Sequence, residues 1–434
     1  MFYQLFVLVL TSLLLLQACD KKKTPLVGKR ENVLLSDPEL RPDPHLKGEK
    51  PILGTPTPQQ NWDQPGRISP VSGHVALPQN KLTQSWRTRI SPPSSGTHRL
   101  TSPPVTHNGI LYTLNPEGYV VAISAKNGEE IWKLDIRPQE VCESALGGGI
   151  SYHQGKLYMT TPCSEIVCVD SETKKILWRK NLPMPSRAAP TIYHDRLFVL
   201  TVGNTLICVD LKTGQELWTH AGMLETAGLL GGTSVAMTDN IGIVPYTSGE
   251  VYGLHIENAE VFWTESLASF GRVDSIASLP HIHARPIIQE GVVYLVSHSG
   301  RCAALQAKTG DIIWEQNFGG SETPAVSGNS LFLITAEQVV LCLDKATGRI
   351  RWVKELQRFE DPEKAQGFIV WKGPVLAGNK LIVASSSGRM LLLDAYTGDV
   401  IQEIDLEEGA CVEPIVANNS VYIVTDKGYL VSYH

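Results

Sequence analysis

The sequence predicts an all-β fold, an eight-bladed β-propeller of four-stranded antiparallel blades, and three observations carry that expectation. A motif ending in tryptophan recurs from Trp86 onward at separations of 46, 46, 40, 45, 51, 38 and 50 residues, a period of propeller size. Each copy reads as short apolar runs broken by polar turns, without a sustained helical period. The last copy stops at His434 before its tryptophan strand, while Trp86 lacks the strands that precede the tryptophan elsewhere. The stretch around Trp86 is therefore expected to complete the sheet that ends in Tyr433, covering both terminal edges.

Composition agrees with one large folded body. Of 434 residues, 42% are hydrophobic and 19% charged, which provides for a sizeable core and excludes general disorder. The 37 glycines suit many tight hairpins, whose turns need positive φ. Net charge is -6, and the basic run Lys21-Lys22-Lys23 stands alone, which argues against a nucleic-acid partner.

From the N-terminus, Leu5 to Leu16 is apolar and runs directly into Gln17-Ala18-Cys19. It is too short for a comfortable membrane span and reads as a secretory signal ending at a processing site. Leu16-Gln17-Ala18-Cys19 resembles the bacterial lipobox, so residues 1–19 are expected to be a lipoprotein signal with Cys19 acylated. Met1-Phe2-Tyr3-Gln4 departs from such signals in having no basic residue. An acylated Cys19 would anchor the mature chain to a bilayer outside the cytoplasm, each buried methylene adding about 0.8 kcal/mol. Residues 20–78, rich in Pro, Lys, Asp and Gly and without apolar periodicity, are expected to be a disordered tether. Within it, Asn61 to Gly66 is expected to dock on the body, because an exposed Trp62 in a pure linker would be unusual. The propeller is placed at 79–434.

The repeat copies run from Ala122 to Trp132, Cys168 to Trp178, Cys208 to Trp218, Gly253 to Trp263, Ala304 to Trp314, Cys342 to Trp352 and Leu392 to Gln402, with Trp86 in the composite eighth. Gly128, Gly214, Gly310, Gly348 and Gly398 occupy the hairpin turn between the last two strands. Ala122, Cys168, Cys208, Gly253, Ala304 and Cys342 make one slot small, which would let neighbouring sheets approach, and Leu392 is the exception. The tryptophans offer a flat surface to the next blade.

Little else in the sequence points to chemistry. Cys168, Cys208 and Cys342 read as buried thiols, and Cys142 and Cys163 could pair within one blade in an oxidising compartment. His281-Ile282-His283 would put two imidazoles on one side of a strand, but a third metal ligand is not evident nearby, and a surface loop or partner contact is the preferred reading. Gly147-Gly148-Gly149 and Gly231-Gly232 lack a following Gly-Lys-Ser/Thr, so turns account for them. No catalytic residue and no metal site is expected.

The Ala/Cys-x-Asp-x-x-Thr-Gly-x-x-x-Trp copies resemble the tryptophan-docking repeat of the quinoprotein-type propellers. Within that superfamily, Arg187-Ala188-Ala189-Pro190-Thr191, Glu225 to Gly232, Val244 to Glu250, Ala284-Arg285-Pro286-Ile287 and Trp371 to Leu376 are similar to the BamB family, the lipoprotein subunits of the outer-membrane β-barrel assembly machinery. The resemblance implies a non-enzymatic scaffold without cofactor. Its implied partners are the barrel-inserting subunit of that machinery and unfolded outer-membrane proteins. Localisation would be the outer membrane, facing the periplasm, with the inner membrane as an alternative because Asp20 follows the lipidated position. Two loops carry the family's contact. In this sequence they correspond to the Leu229 and Leu230 region, with glycine where the family has arginine, and to His281 and His283, which replace two aspartates; Arg285 follows closely. The alternatives are a quinone-dependent oxidoreductase, for which no adjacent cysteine pair or Cys-x-x-Cys-His site is present, and an extracytoplasmic scaffold unrelated to barrel assembly.

Overall fold

The computed structural model describes residues 40–65, 74–78, 81–96, 98–138, 145–225, 231–268 and 280–434. Cys19, Cys142, Leu229 and Leu230 lie outside these described residues.

Eight four-stranded antiparallel sheets follow one another along the chain. Strands are lettered A to D within each blade. Blade 1 is A Val105–His107, B Ile110–Leu114, C Tyr119–Ser124 and D Glu130–Asp135, and the A strands of blades 2 to 8 are Gly149–His153, Thr191–Tyr193, Ala236–Thr238, Ile287–Gln289, Ala325–Ser327, Trp371–Ala377 and Ile415–Ala417. The short A strands touch their counterparts in neighbouring blades and so surround the axis. The D strands of blades 1, 3, 7 and 8 alternate exposed and half-buried residues, as rim strands should. Apolar side chains fill the spaces between blades; Tyr112 and Ala122 of blade 1, for instance, share a core with Ile150 and Leu157 of blade 2.

Ring closure is as expected. Gln84–Arg89 is the D strand of blade 8, antiparallel to Tyr429–Tyr433, with Trp86 opposite Ser432. Thr83 N–H donates to His434 O at 2.8 Å and His434 N–H to Thr83 O at 3.0 Å, so the last residue is held from both sides.

The pairing register explains the small slot. Ala122, Cys168, Cys208, Gly253, Ala304 and Cys342 each lie directly opposite the tryptophan of their own blade, so the slot makes room for an indole on the neighbouring strand. Leu392 is opposite Gln402, which needs no such room. Five of the seven indoles then donate forward. Trp86 Nε1 donates to Ala125 O at 3.1 Å, Trp218 to Ile256 O at 3.1 Å, Trp263 to Ala307 O at 3.0 Å, Trp314 to Lys345 O at 2.9 Å and Trp352 to Ala395 O at 3.2 Å, every acceptor being in the next blade. Trp132 stacks obliquely on Tyr112, and Trp178 on Tyr158.

The expected disordered tether over 20–78 and the boundary at 79 require correction. Residues 40–65 and 74–78 form an extended strap on the propeller. Asp43 N–H donates to Ile350 O at 2.8 Å, Asn329 N–H to Ile52 O at 3.0 Å, Asn418 N–H to Gln59 O at 2.7 Å and Tyr152 N–H to Asp63 O at 2.7 Å. Trp62 and Thr106 exchange two backbone hydrogen bonds, and Ile192 N–H donates to Gln64 Oε1 at 2.8 Å. His74–Val75 adds a fifth, parallel strand beside the A strand of blade 7. The strap thus crosses blades 6, 7, 8, 1, 2 and 3 in turn, with Trp62 buried as the docking expectation required. Backbone pairing, which needs no apolar periodicity, is what holds it.

Candidate functional site

The strap lies on the face formed by the A–B turns and the C–D turns. The opposite face, built from D–A links and B–C turns, opens into an axial funnel of about 700 Å³. Its wall includes Ser94, Arg99, Thr101, Gly231, Gly232, His283, Arg285, Glu322, Lys372, Cys411, Glu413 and Asp426. Arg285 and Glu413 also line a second cavity of about 430 Å³, mostly apolar, that is closed on the far side by Trp62, Gln64 and Pro65 of the strap. These two residues mark the waist of the axial channel.

Chain geometry brings the inner ends of two of the candidate segments together. Gly231 has φ +103°, and a Cβ built there would fall on His283 Nε2. Any other residue at 231 would displace the imidazole or strain the backbone. His283 Nδ1 donates to Ser321 O at 2.9 Å, which leaves Nε2 as the acceptor facing the glycine. His281 is buried, its ring 5.9 Å from that of His283 in an edge-on arrangement. Burial, reinforced by His283, His298 and Arg187, pushes the His281 pKa down to about 3. Burial also lowers that of His283. Both imidazoles are therefore neutral at ordinary pH.

The two histidines sit in a D–A link and not in a strand. Among the described residues, no three His, Cys, Asp or Glu side chains converge as a metal site would require. Cys411 is an inert thiol, raised by burial to about 12. Cys168, Cys208, Cys302 and Cys342 are buried and free. Cys163 is disulfide-bonded, to a partner outside the described residues.

The funnel wall carries paired charges. Lys372 Nζ pairs with Glu322 Oε1 at 2.8 Å, and Arg285 Nη1 lies 3.5 Å from Glu413 Oε1. Three cationic side chains, Arg99, Arg285 and Lys372, face three anionic ones, Glu322, Glu413 and Asp426. Five of its buried polar atoms have no hydrogen-bond partner: Ser94 Oγ, Thr101 Oγ1, Arg285 Nε, Arg285 Nη1 and Asp426 Oδ1.

Arg285, His283, Gly231-Gly232 and the stretch containing Lys372 stood out in the sequence, whereas Ser94, Arg99, Thr101, Glu322, Glu413 and Asp426 did not. A signal was present: Arg285, Thr323, Gly373 and Glu413 each precede a proline at the entry to an A strand, so repeat alignment would have placed them together around the axis.

With this geometry in place, similarity to known proteins becomes informative. The profile of the family described as "Outer membrane protein assembly factor BamB" matches residues 116–354, and that of "Glucose/ethanol/alcohol dehydrogenase, beta-propeller domain" matches residues 315–410. The chain is 26% identical over 198 residues to the outer membrane protein assembly factor BamB of Legionella pneumophila, covering 46% of this chain and about half, 49%, of that relative. It is 24% identical over 358 residues to the BamB of Escherichia coli K12, covering 81% of this chain and 88% of the relative. Among solved structures, BamB from Moraxella catarrhalis superposes with a TM-score of 0.68 at 17% identity, covering 82% of this chain and 100% of the other. A quinohemoprotein alcohol dehydrogenase from Comamonas testosteroni gives 0.66 at 14% identity, covering 86% and 80%. The two structural likenesses show a shared fold.

Proposed function

The chain belongs to the BamB family of outer membrane protein assembly factors, and from that premise we propose that it is a non-enzymatic periplasmic scaffold of outer-membrane protein assembly. In this reading it is anchored through lipid on Cys19 and binds the barrel-inserting subunit through its D–A face, aiding delivery of unfolded outer-membrane proteins. The observation that carries it is the seating of Gly231, which follows Leu229 and Leu230 in the sequence, on His283 of the His281–Arg285 segment at one funnel mouth. The strap supports the choice of face, because 40–65 already occupies the other. Leu229 and Leu230 would supply apolar contact, with His281, His283 and Arg285 beside them.

A quinone-dependent oxidoreductase is the rival reading, favoured by the shared propeller fold. A quinone bearing several carboxylates needs an excess of cationic side chains, whereas this funnel balances three against three. The residues present do not fit that cofactor.

Affinity purification from detergent-solubilised envelopes tests the proposal: the barrel-inserting subunit should be recovered with the full-length chain and lost with Leu229→Asp/Leu230→Asp. Absence of that subunit from the wild-type eluate would refute the assembly role and leave a scaffold of another kind. Metabolic labelling with palmitate and membrane fractionation, compared with Cys19→Ser, tests the anchor and distinguishes outer from inner membrane.

A further inference from the structure

We propose that Met223 and Leu224 form an apolar contact point for the barrel-inserting subunit, held out from the D–A face by an exchange of side-chain size between blades 3 and 4. The proposal rests on the scaffold reading above and adds the residues that meet the partner and those that position them.

Four residues after the repeat tryptophan, at the root of each D–A link, seven blades bury a large apolar side chain. These are Ile90, Ile136, Leu182, Leu267, Phe318, Leu356 and, counted from Gln402, Leu406. Blade 3 has Gly222 there, and a Cβ on it would lie 2.6 Å from the Tyr246 ring of blade 4. Position 246 breaks the repeat in the opposite sense. Asn115, Thr201, Ser297, Thr335 and Thr425 make the same backbone bond across their B–C turns and are small, whereas Tyr246 is large and fully buried. The ring thus fills the space in which the other links anchor themselves. Tyr246 Oη and His220 Nδ1 are hydrogen-bonded at 2.7 Å, which ties the ring to the strand that leads into the link.

Polar clamps replace the missing apolar anchor. Glu250 Oε2 accepts from Met223 N–H at 3.0 Å, and its carboxylate is held in turn by Ser248 Oγ at 2.9 Å and Tyr252 Oη at 3.1 Å. From the other side, Asn204 Nδ2 donates to Met223 O at 2.5 Å while its Oδ1 accepts from Thr247 N–H at 3.0 Å. Met223 and Leu224 are nevertheless 64% and 71% exposed, and Leu224 is the most exposed large apolar residue among those described. Elsewhere the residue after the buried anchor is Ser91, Arg137, Pro183, Ala268, Gly319, Gln357 or Glu407, none of them large and apolar. A backbone fixed from both sides presents its side chains at little further entropic cost, which suits an interface more than a solvated link. The same link continues in sequence to Leu229 and Leu230 and returns at Gly231 against His283, so the pair adjoins the candidate contact surface.

Binding of the full-length lipoprotein in detergent to the purified barrel-inserting subunit tests the inference. Met223→Ser/Leu224→Ser is expected to lower affinity at least ten-fold with the melting temperature unchanged, because both side chains are exposed in the free protein. Glu250→Ala, which releases the Met223 N–H, should lower affinity at least three-fold. Glu250→Gln should keep wild-type affinity, because its amide oxygen still accepts from Met223; equal affinity in Glu250→Ala and the wild type would overturn the positioning role. Wild-type affinity in Met223→Ser/Leu224→Ser, alongside lost binding in Leu229→Asp/Leu230→Asp, would overturn the proposal and leave the scaffold reading intact. No binding by the wild type would overturn both.

Discussion

The glycine of the C–D turn answers to two constraints at once. Gly214 has φ +73°, and a Cβ built on it would lie 2.6 Å from the Trp178 ring of the preceding blade. Gly128, Gly310, Gly348 and Gly398 meet Trp86, Trp263, Trp314 and Trp352 in the same way. Gly155 provides the control, since its φ is +79° and nothing lies within 4 Å of its built Cβ. Gly155→Ala is expected to cost about 1–2 kcal/mol from the left-handed backbone alone. Gly214→Ala should cost that and a further ~1–3 kcal/mol for overpacking against the indole. Urea denaturation of the two variants measures the difference directly, and equal losses would show that the indole yields freely. A separate residue-scale expectation concerns Cys163. Five other cysteines are free, and Cys19 is proposed to carry lipid, so Cys142 is the proposed disulfide partner. Non-reducing peptide mapping should return one Cys142–Cys163 linked peptide; a Cys163 peptide alkylated without prior reduction would contradict it.

At the scale of elements, the strap is what the sequence conceals. It is fastened by backbone pairs and by the amide side chains of Asn61 and Gln64, with Trp62 as its buried apolar anchor on blade 1. Trp62→Ala removes a side chain whose loss in a core costs ~3–5 kcal/mol. That loss should fall on the strap, with the blades keeping their own packing. Limited trypsin digestion is therefore expected to cut after Lys47 faster than in the wild type, while the body from residue 81 onward resists; unchanged strap cleavage would mean that backbone pairing holds it unaided. The repeat was legible because the small slot, the Thr-Gly turn and the tryptophan recur at propeller spacing, and ring closure followed from a missing strand at one end and a spare one at the other. The strap was legible only where Trp62 marks its docking, since pairing with exposed backbone leaves no periodic trace in side chains. The funnel wall was half legible: Arg285 and His283 stood out by type, whereas Ser94, Glu322, Lys372 and Asp426 come together only once the ring closes.

For the whole molecule, burial of neutral imidazoles on several blades sets the response to acid. His74, His153, His220, His281, His283 and His298 all have pKa values lowered from the ordinary histidine value of 6.5, in each case chiefly by burial. A histidine depressed in the folded state leaves stability intact above pH 6.5, where neither state is protonated. As pH falls below 6.5 the unfolded chain binds protons that the folded protein refuses, and each such group withdraws up to about 1.4 kcal/mol per pH unit until its folded pKa is reached. For His281 that window extends from 6.5 down to about 3. Asp170 and Asp210, held low chiefly by hydrogen bonds from Thr173 and Thr213, act in the same direction but only near and below pH 3.8. Urea midpoints measured at pH 7, 6 and 5 should therefore decline steadily, above the range in which Asp170 and Asp210 contribute. His281→Gln should flatten that decline by close to one proton, because Gln keeps a polar side chain without the titration. A stability independent of pH between 7 and 5, or the same slope in the variant, would show that these imidazoles take up protons in the folded propeller as readily as in the open chain.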